Sequence, residues 1–263
     1  MTLPGLLPAV PASPFGVPLA VFAAVLALLA GVGVVKGTLG FGSGLLSVPI
    51  VIQAFPPEFA LAALTLPLWL GNVPVLAADG IPWARLRAER WLVAAAAVGT
   101  VVGLLALAAV PAAVVSPLVG AYLVVFLIAT RYGDRIRRRL PRRGLGPLTG
   151  GAGGLIHGAV LSGGPVFISY FHATSPEKDS FATTLTALFF LAMTIRLALL
   201  YPMGELSTGA AGLGASFLVP LAVGVYGGTR LRPHVPQRRF EVIVELLLVV
   251  VALKLLSDGL ALL

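Results

Sequence analysis

Cysteine is absent from this chain of 263 residues, and charge is scarce: 11% of the residues are Asp, Glu, Lys or Arg, and only 10 are acidic. The first absence excludes disulfides, thiolate metal sites and cysteine nucleophiles. The second excludes a water-soluble globule, because 58% hydrophobic residues and a mean hydropathy of +1.01 leave too little polar surface to cover one. No Asp or Glu lies deep in an apolar run, so no carboxylate proton relay is expected, and the scattered acids and three histidines suggest neither a metal site nor a cofactor. A positive segment is also missing ahead of the first hydrophobic run, and Pro4, Pro8, Pro11, Pro14 and Pro18 punctuate the approach to it. A cleaved signal peptide is therefore not expected, and residues 1–17 read as an uncharged external tail.

What the chain has in place of charge is apolar length. Runs at about 57–78, 89–110, 113–130, 180–201, 208–230 and 240–262 are each near the ~20 residues that a bilayer's hydrocarbon core demands. Two further apolar segments, about 18–55 and 146–172, are broken by glycines and resemble each other. Gly33 aligns with Gly154, Lys36 with His157, Gly37 with Gly158, and Gly42, Ser43 and Gly44 with Ser162, Gly163 and Gly164. Duplicated, glycine-interrupted apolar segments are the sequence mark of a secondary transporter, with its binding site where the breaks meet.

The net charge of +8 is not an argument for nucleic acid, because most of the 18 basic residues sit in three connections between apolar runs. These hold Arg85, Arg87 and Arg90; Arg131, Arg135, Arg137, Arg138, Arg139, Arg142 and Arg143; and Arg230, Arg232, Arg238 and Arg239. Such clustering is the positive-inside pattern of cytoplasmic loops. The expected partners are a lipid bilayer and a small anion, with no nucleic acid; assembly is left open, a homodimer included.

Placing all three loops on one side requires an even number of crossings between them. Two runs lie between the first and second loops, but three segments lie between the second and third, so one must enter and leave on the same side. The segment 146–172 is the natural candidate, since Leu161, Ser162, Gly163, Gly164 and Pro165 offer a non-helical tip followed by a helix start. The same reasoning applied to Gly40 to Gly44 predicts an all-α polytopic membrane protein of two inverted repeats. Each repeat is a broken or re-entrant glycine-rich helical hairpin plus three transmembrane helices. The expected divisions are a tail at 1–17, a first repeat at 18–131, a cytoplasmic Arg-rich linker at 132–145 and a second repeat at 146–263, with both termini outside. Making every segment a span is the competing arrangement, and it puts one arginine-rich loop outside. The connection Ser175 to Ser180 falls inside without a positive excess.

Inversion brings Lys36 and His157 together near the midplane. An ionisable group at that depth costs at least ~2.5–3.5 kcal/mol on insertion scales and by default marks a function. With the helix starts at both breaks and the hydroxyls of Ser43 and Ser162, they suit a small anion rich in acceptor oxygens. The expected substrate-binding residues are therefore Lys36, Gly40, Gly42, Ser43, Gly44, His157, Ser162, Gly163 and Gly164. Thr65, Asn72, Thr183, Thr184, Thr186 and Arg196 are candidate liners, Arg196 only at a distance because it sits one turn from the end of its run and can reach the interface. Plainer roles compete with these. Lys36 can snorkel, His157 can bond a neighbour, the hydroxyls can bond their own helix, and the glycines have the small-xxx-small spacing of close helix packing.

Two copies of a G-x-x-x-G segment running into a glycine-rich break, the Gly163, Gly164, Pro165 triplet, and a span ending in Gly224, Gly227, Gly228 and Arg230, followed by Arg238, Arg239 and a long apolar helix, resemble the TauE/SafE sulfite exporter family. The likeness runs from about Val17 to the C-terminus. It implies a permease of a bacterial inner membrane that carries sulfur-containing anions such as sulfite, thiosulfate, sulfolactate or sulfoacetate. Lys36 and His157 stand outside that resemblance and read as tuning the site, which fits a carboxylate- or sulfonate-bearing substrate with two charges. The implied mechanism is export by alternating access; with the interior negative, each unit of anionic charge leaving gains ~2.3 kcal/mol per 100 mV. An anion channel is the near alternative. A distant one is an intramembrane serine protease using Ser43 as nucleophile and His157 as base, although Phe41 to Gly44 lacks the leading glycine of the rhomboid-type G-x-S-G pattern.

Overall fold

The computed structural model describes residues 15–39, 42–137, 145–174, 178–231, 246 and 248–257, and these are helical with short connections. Gly40, most of the expected tail, part of the Arg-rich linker and the cluster at Arg238 and Arg239 lie outside the described residues. In chain order the helices are α1 (Leu19–Leu39), α2 (Ser43–Val51), α3 (Pro57–Leu70), α4 (Val73–Asp79), α5 (Trp83–Ala88), α6 (Arg90–Ala108), α7 (Ala112–Arg137), α8 (Leu145–Val160), α9 (Gly164–Thr174), α10 (Lys178–Leu200) and α11 (Thr208–Leu231). A further apolar helix covers Leu248–Ser257, within the run expected at 240–262.

Among the described residues, six stretches are long and apolar enough to cross a membrane: Leu19–Thr38, Pro57–Asp79, Arg90–Ala108, Ala112–Ala129, Thr183–Leu200 and Thr208–Leu231. Five fall on expected runs. The sixth is α1, which was expected only as one arm of a broken segment; it continues without interruption up to the glycine cluster. Its equivalent α8 has 16 residues, against 21 in α1, and falls short of a crossing.

Two seams of small residues hold the bundle together. Along α1 and α11, a Cβ on Gly33 would strike the Leu221 carbonyl and one on Gly37 the Val225 carbonyl, while Gly224 and Gly228 press on the carbonyls of Ala30 and Val34. Along α6 and α8, Gly154 and Gly158 abut the carbonyls of Ala96 and Thr100, and Gly99 and Gly103 those of Gly151 and Leu155. Both pairs run in the same direction, because residue numbers rise together along each seam. Backbones this close gain dispersion and Cα–H···O contacts, the forces left to helices in a solvent as apolar as they are. Thr38 strengthens the first seam by donating to Gly228 O at 3.3 Å and to Val34 O at 2.8 Å.

Helix α9 folds back along α8. The Phe167 ring lies against Gly153, and the Tyr170 hydroxyl lies against Gly146 in the first turn of α8. The same hydroxyl donates to Glu89 Oε2 at 2.9 Å, and Glu89 also pairs with Arg85 at 3.6 Å, so the far end of α9 is tied to the α5–α6 junction. Helix α2, buried from Gly44 onward, carries Val48, Ile50 and Val51 into the main core beside α3.

Candidate functional site

The two breaks meet. A Cβ on Gly44 would run into the Leu161 carbonyl, so the first turn of α2 rests on the tip of the second break. Only glycine fits there. Among the described residues each break contains one in the left-handed region: Gly42 at φ 95, which precedes α2, and Leu161 at φ 58, which follows α8. The first is cheap for a glycine, whereas the second is unusual for a branched side chain and is held by its surroundings, Leu161 being 2% exposed.

At this meeting point lies a cavity of about 80 Å³, several times the roughly 10–15 Å³ that one water molecule needs. Gly42, Ser43 and Gly44 form one wall, Leu161, Ser162, Gly164 and Pro165 another, with Lys36 and His157 beside them. Leu68, Asn72 and Val75 come from α3, α4 and the Gly71–Asn72 turn between them; Leu185, Thr186, Phe189 and Met193 come from α10. Among the described residues no Asp or Glu lines this space.

The donors around it come from distinct places. In α2 the first intrahelical bond is Leu46 N to Gly42 O at 3.1 Å, so the amides of Ser43, Gly44 and Leu45 precede it and have no helical carbonyl to donate to. In α9 the amides of Val166 and Phe167 already donate to Gly163 O, and Pro165 has none to give. Lys36 Nζ donates to Gly71 O at 3.4 Å, a long bond to the carbonyl at the α3–α4 interruption. His157 is 3% exposed, stacks on Phe189 at 5.0 Å between ring centroids, and has no hydrogen-bond partner among the described residues at either ring nitrogen. No hydrogen bond joins it to Ser43, so the nucleophile–base pair of the protease reading is not formed. Ser162 turns its hydroxyl to Val160 O at 2.9 Å, while its own carbonyl accepts from Tyr122 of α7.

A family model described as sulfite exporter TauE/SafE matches residues 23–255, the bulk of the chain. The chain belongs to that family. No curated protein and no solved structure matches it. As a TauE/SafE family member with six stretches among its described residues apolar and long enough to span, it is a multi-pass membrane protein of a transporter family.

Most of the residues singled out in this TauE/SafE chain line the one space: Lys36, Gly42, Ser43, Gly44, His157, Ser162, Gly164, Asn72 and Thr186. Gly163 stands just behind it, packed against the Gly153 carbonyl and the His157 Cβ. Thr183 is not among the lining residues and donates to Asp79 Oδ2 at 3.3 Å, and Thr184 is buried off the cavity wall. Arg196 corrects the expectation most sharply. It does not reach an interface: it is 1% exposed, donating to Thr65 Oγ1 at 3.3 Å and to Ala159 O at 3.5 Å. Thr65 is therefore a partner of Arg196 and a donor to Leu61 O rather than a cavity liner. The guanidinium sits against the last turn of α8, where helix carbonyls lack partners and a cation is favoured. Among the described residues neither Lys36 nor Arg196 is ion-paired.

The residues missed by sequence reasoning are Tyr122, Phe189 and the Gly71 carbonyl. A glycine–asparagine pair inside an apolar run was the available signal for the last; nothing local marks the other two.

Proposed function

We propose that this protein is a secondary transporter of small sulfur-containing anions, sulfite or sulfonates, in a bacterial inner membrane, and that it exports them by alternating access around the cavity between the two breaks. The observation that carries the reading is the composition of that cavity: the start of α2, a lysine and an unpartnered buried histidine, with no described carboxylate to oppose them. A buried positive field with free donors is complementary to an oxyanion and hostile to a cation.

Two inverted repeats, each a glycine-broken hairpin with three spans, are the architecture we infer. The exchange of partners supports it: α1 packs on α11 and α8 on α6, which is the same contact with the halves reversed. The register that sets Lys36 on His157 also sets Leu68 on Phe189 and Asn72 on Met193, and all six line the cavity. The backward run of α9 along α8 supports a re-entrant second segment. In this reading α1 and α11 belong to different halves, and rocking of one half on the other opens the cavity to alternate sides.

The test is thermal unfolding of the purified protein in detergent with a panel of sulfite, sulfate, thiosulfate, sulfoacetate and acetate. Selective stabilisation by a sulfur oxyanion or sulfonate, abolished in Lys36→Ala, is the expected result. A panel in which no anion raises the unfolding temperature would remove the anion site.

A further inference from the structure

We propose that anion binding at this cavity is coupled to protonation of His157, one proton entering with each anion. The inference rests on the anion-site reading above and adds the coupling partner to it.

A neutral imidazole presents one N–H donor and one bare acceptor nitrogen. Both ring nitrogens of His157 are buried without a partner among the described residues, in a side chain that lines the cavity. An unprotonated oxyanion has only acceptors, so it answers the N–H and leaves the bare nitrogen orphaned. A proton taken from bulk water makes that nitrogen a second donor and adds a positive charge beside the anion; no bond of the anion breaks.

The groups facing His157 set the sign of the coupling. Helix α10 brings Arg196 and the Phe189 face, α1 brings Lys36, and α7 brings the Tyr122 hydroxyl, already engaged with Ser162 O. Helix α6 contributes Thr100, whose hydroxyl donates to Ala96 O, and the turn before α9 contributes the Gly163 backbone. Ser43 and Asn72 complete the wall without charge. With two cations and no described carboxylate, a third positive charge is opposed while the cavity is empty. An anion between them reverses that balance, so proton and anion favour each other's binding reciprocally. Carried together, a doubly charged anion and one proton still move one negative charge, so outward flux answers to the membrane potential and, in addition, to the pH gradient.

Calorimetric titration with sulfoacetate at neutral pH, repeated in HEPES and Tris, reads this directly. Both acid groups of sulfoacetate are ionised there, so any proton taken up goes to the protein. The expected result is uptake of about one proton per anion by the unaltered protein, and of none by His157→Gln, which keeps a donor and an acceptor and binds within about tenfold. Binding whose heat is the same in both buffers would overturn the coupling while leaving the anion site intact, as would uptake that survives in His157→Gln. If neither sulfoacetate nor any other anion of the panel binds, the site itself falls and the coupling with it.

Discussion

The two glycine breaks resemble each other in sequence and differ in nearly every detail of execution. The first follows a helix long enough to cross a membrane, turns at a glycine, and opens a new helix whose first residues line the cavity. The second follows a shorter helix and turns at a left-handed leucine, and the helix after it has a proline where an amide would be. Lys36 is half-buried and tethered to the Gly71 carbonyl, whereas His157 is fully buried, stacked on Phe189, and without a hydrogen-bond partner among the described residues. The first break thus supplies fixed donors and the second supplies a titratable one. In the proposed function, a site made of two unlike halves holds an anion with one and senses its arrival with the other.

The largest way to break the comparison is at the contact between the tips. Gly44→Leu drives a side chain into the Leu161 carbonyl, and since backbone cannot yield as a side chain can, the cost is at or beyond the roughly 1–3 kcal/mol of ordinary overpacking. The expected outcome in detergent melts is gross destabilisation and loss of every anion response. Gly151→Leu, at a position with open space around it, is the matched change expected to leave melting unaltered.

A sharper question is whether the charge behind the second break serves the fold or the site. Arg196→Met replaces a buried, unpaired cation with an apolar chain of similar length, an exchange that is often neutral or stabilising. Melting is expected to hold while anion affinity drops about tenfold, equivalent to about 1.4 kcal/mol. A fall in melting temperature with unchanged affinity would make Arg196 a cap for α8 and no more.

The smallest effect isolates backbone from packing. Gly42 meets only Val35 Cγ1 at 3.8 Å, so Gly42→Ala has room and suffers from φ 95 alone. A loss of about 1–2 kcal/mol of stability is expected, read as a modest drop in melting temperature with anion selectivity retained.

Much of this was legible beforehand because it is written in one dimension. Apolar length locates a span, glycine spacing locates a seam, and a lysine or histidine inside an apolar segment stands out whatever the fold. Azimuth is written less clearly. Thr183, Thr184 and Thr186 look alike in the sequence, yet only Thr186 joins the face that Leu185, Phe189 and Met193 present to the cavity. Arg196 was misjudged for the same reason. Distance from a helix end measures depth along the axis, and whether a side chain at that depth meets lipid or protein is decided by neighbours far away in sequence. Tyr122, reaching from α7 to the Ser162 carbonyl, has no signal at all until both segments are packed.

The α1–α11 seam has a consequence for how the molecule is made. Thr38 finds its partner carbonyl at Gly228, 190 residues later in the chain. During synthesis α1 enters the bilayer with a groove of glycines on one side and must wait for nearly the whole protein before a matching surface arrives. A nascent chain cut short before α11 keeps that groove open to whatever small-residue helix drifts past. Closure of the seam is thus a late checkpoint of assembly, with a long loop-closure step behind it.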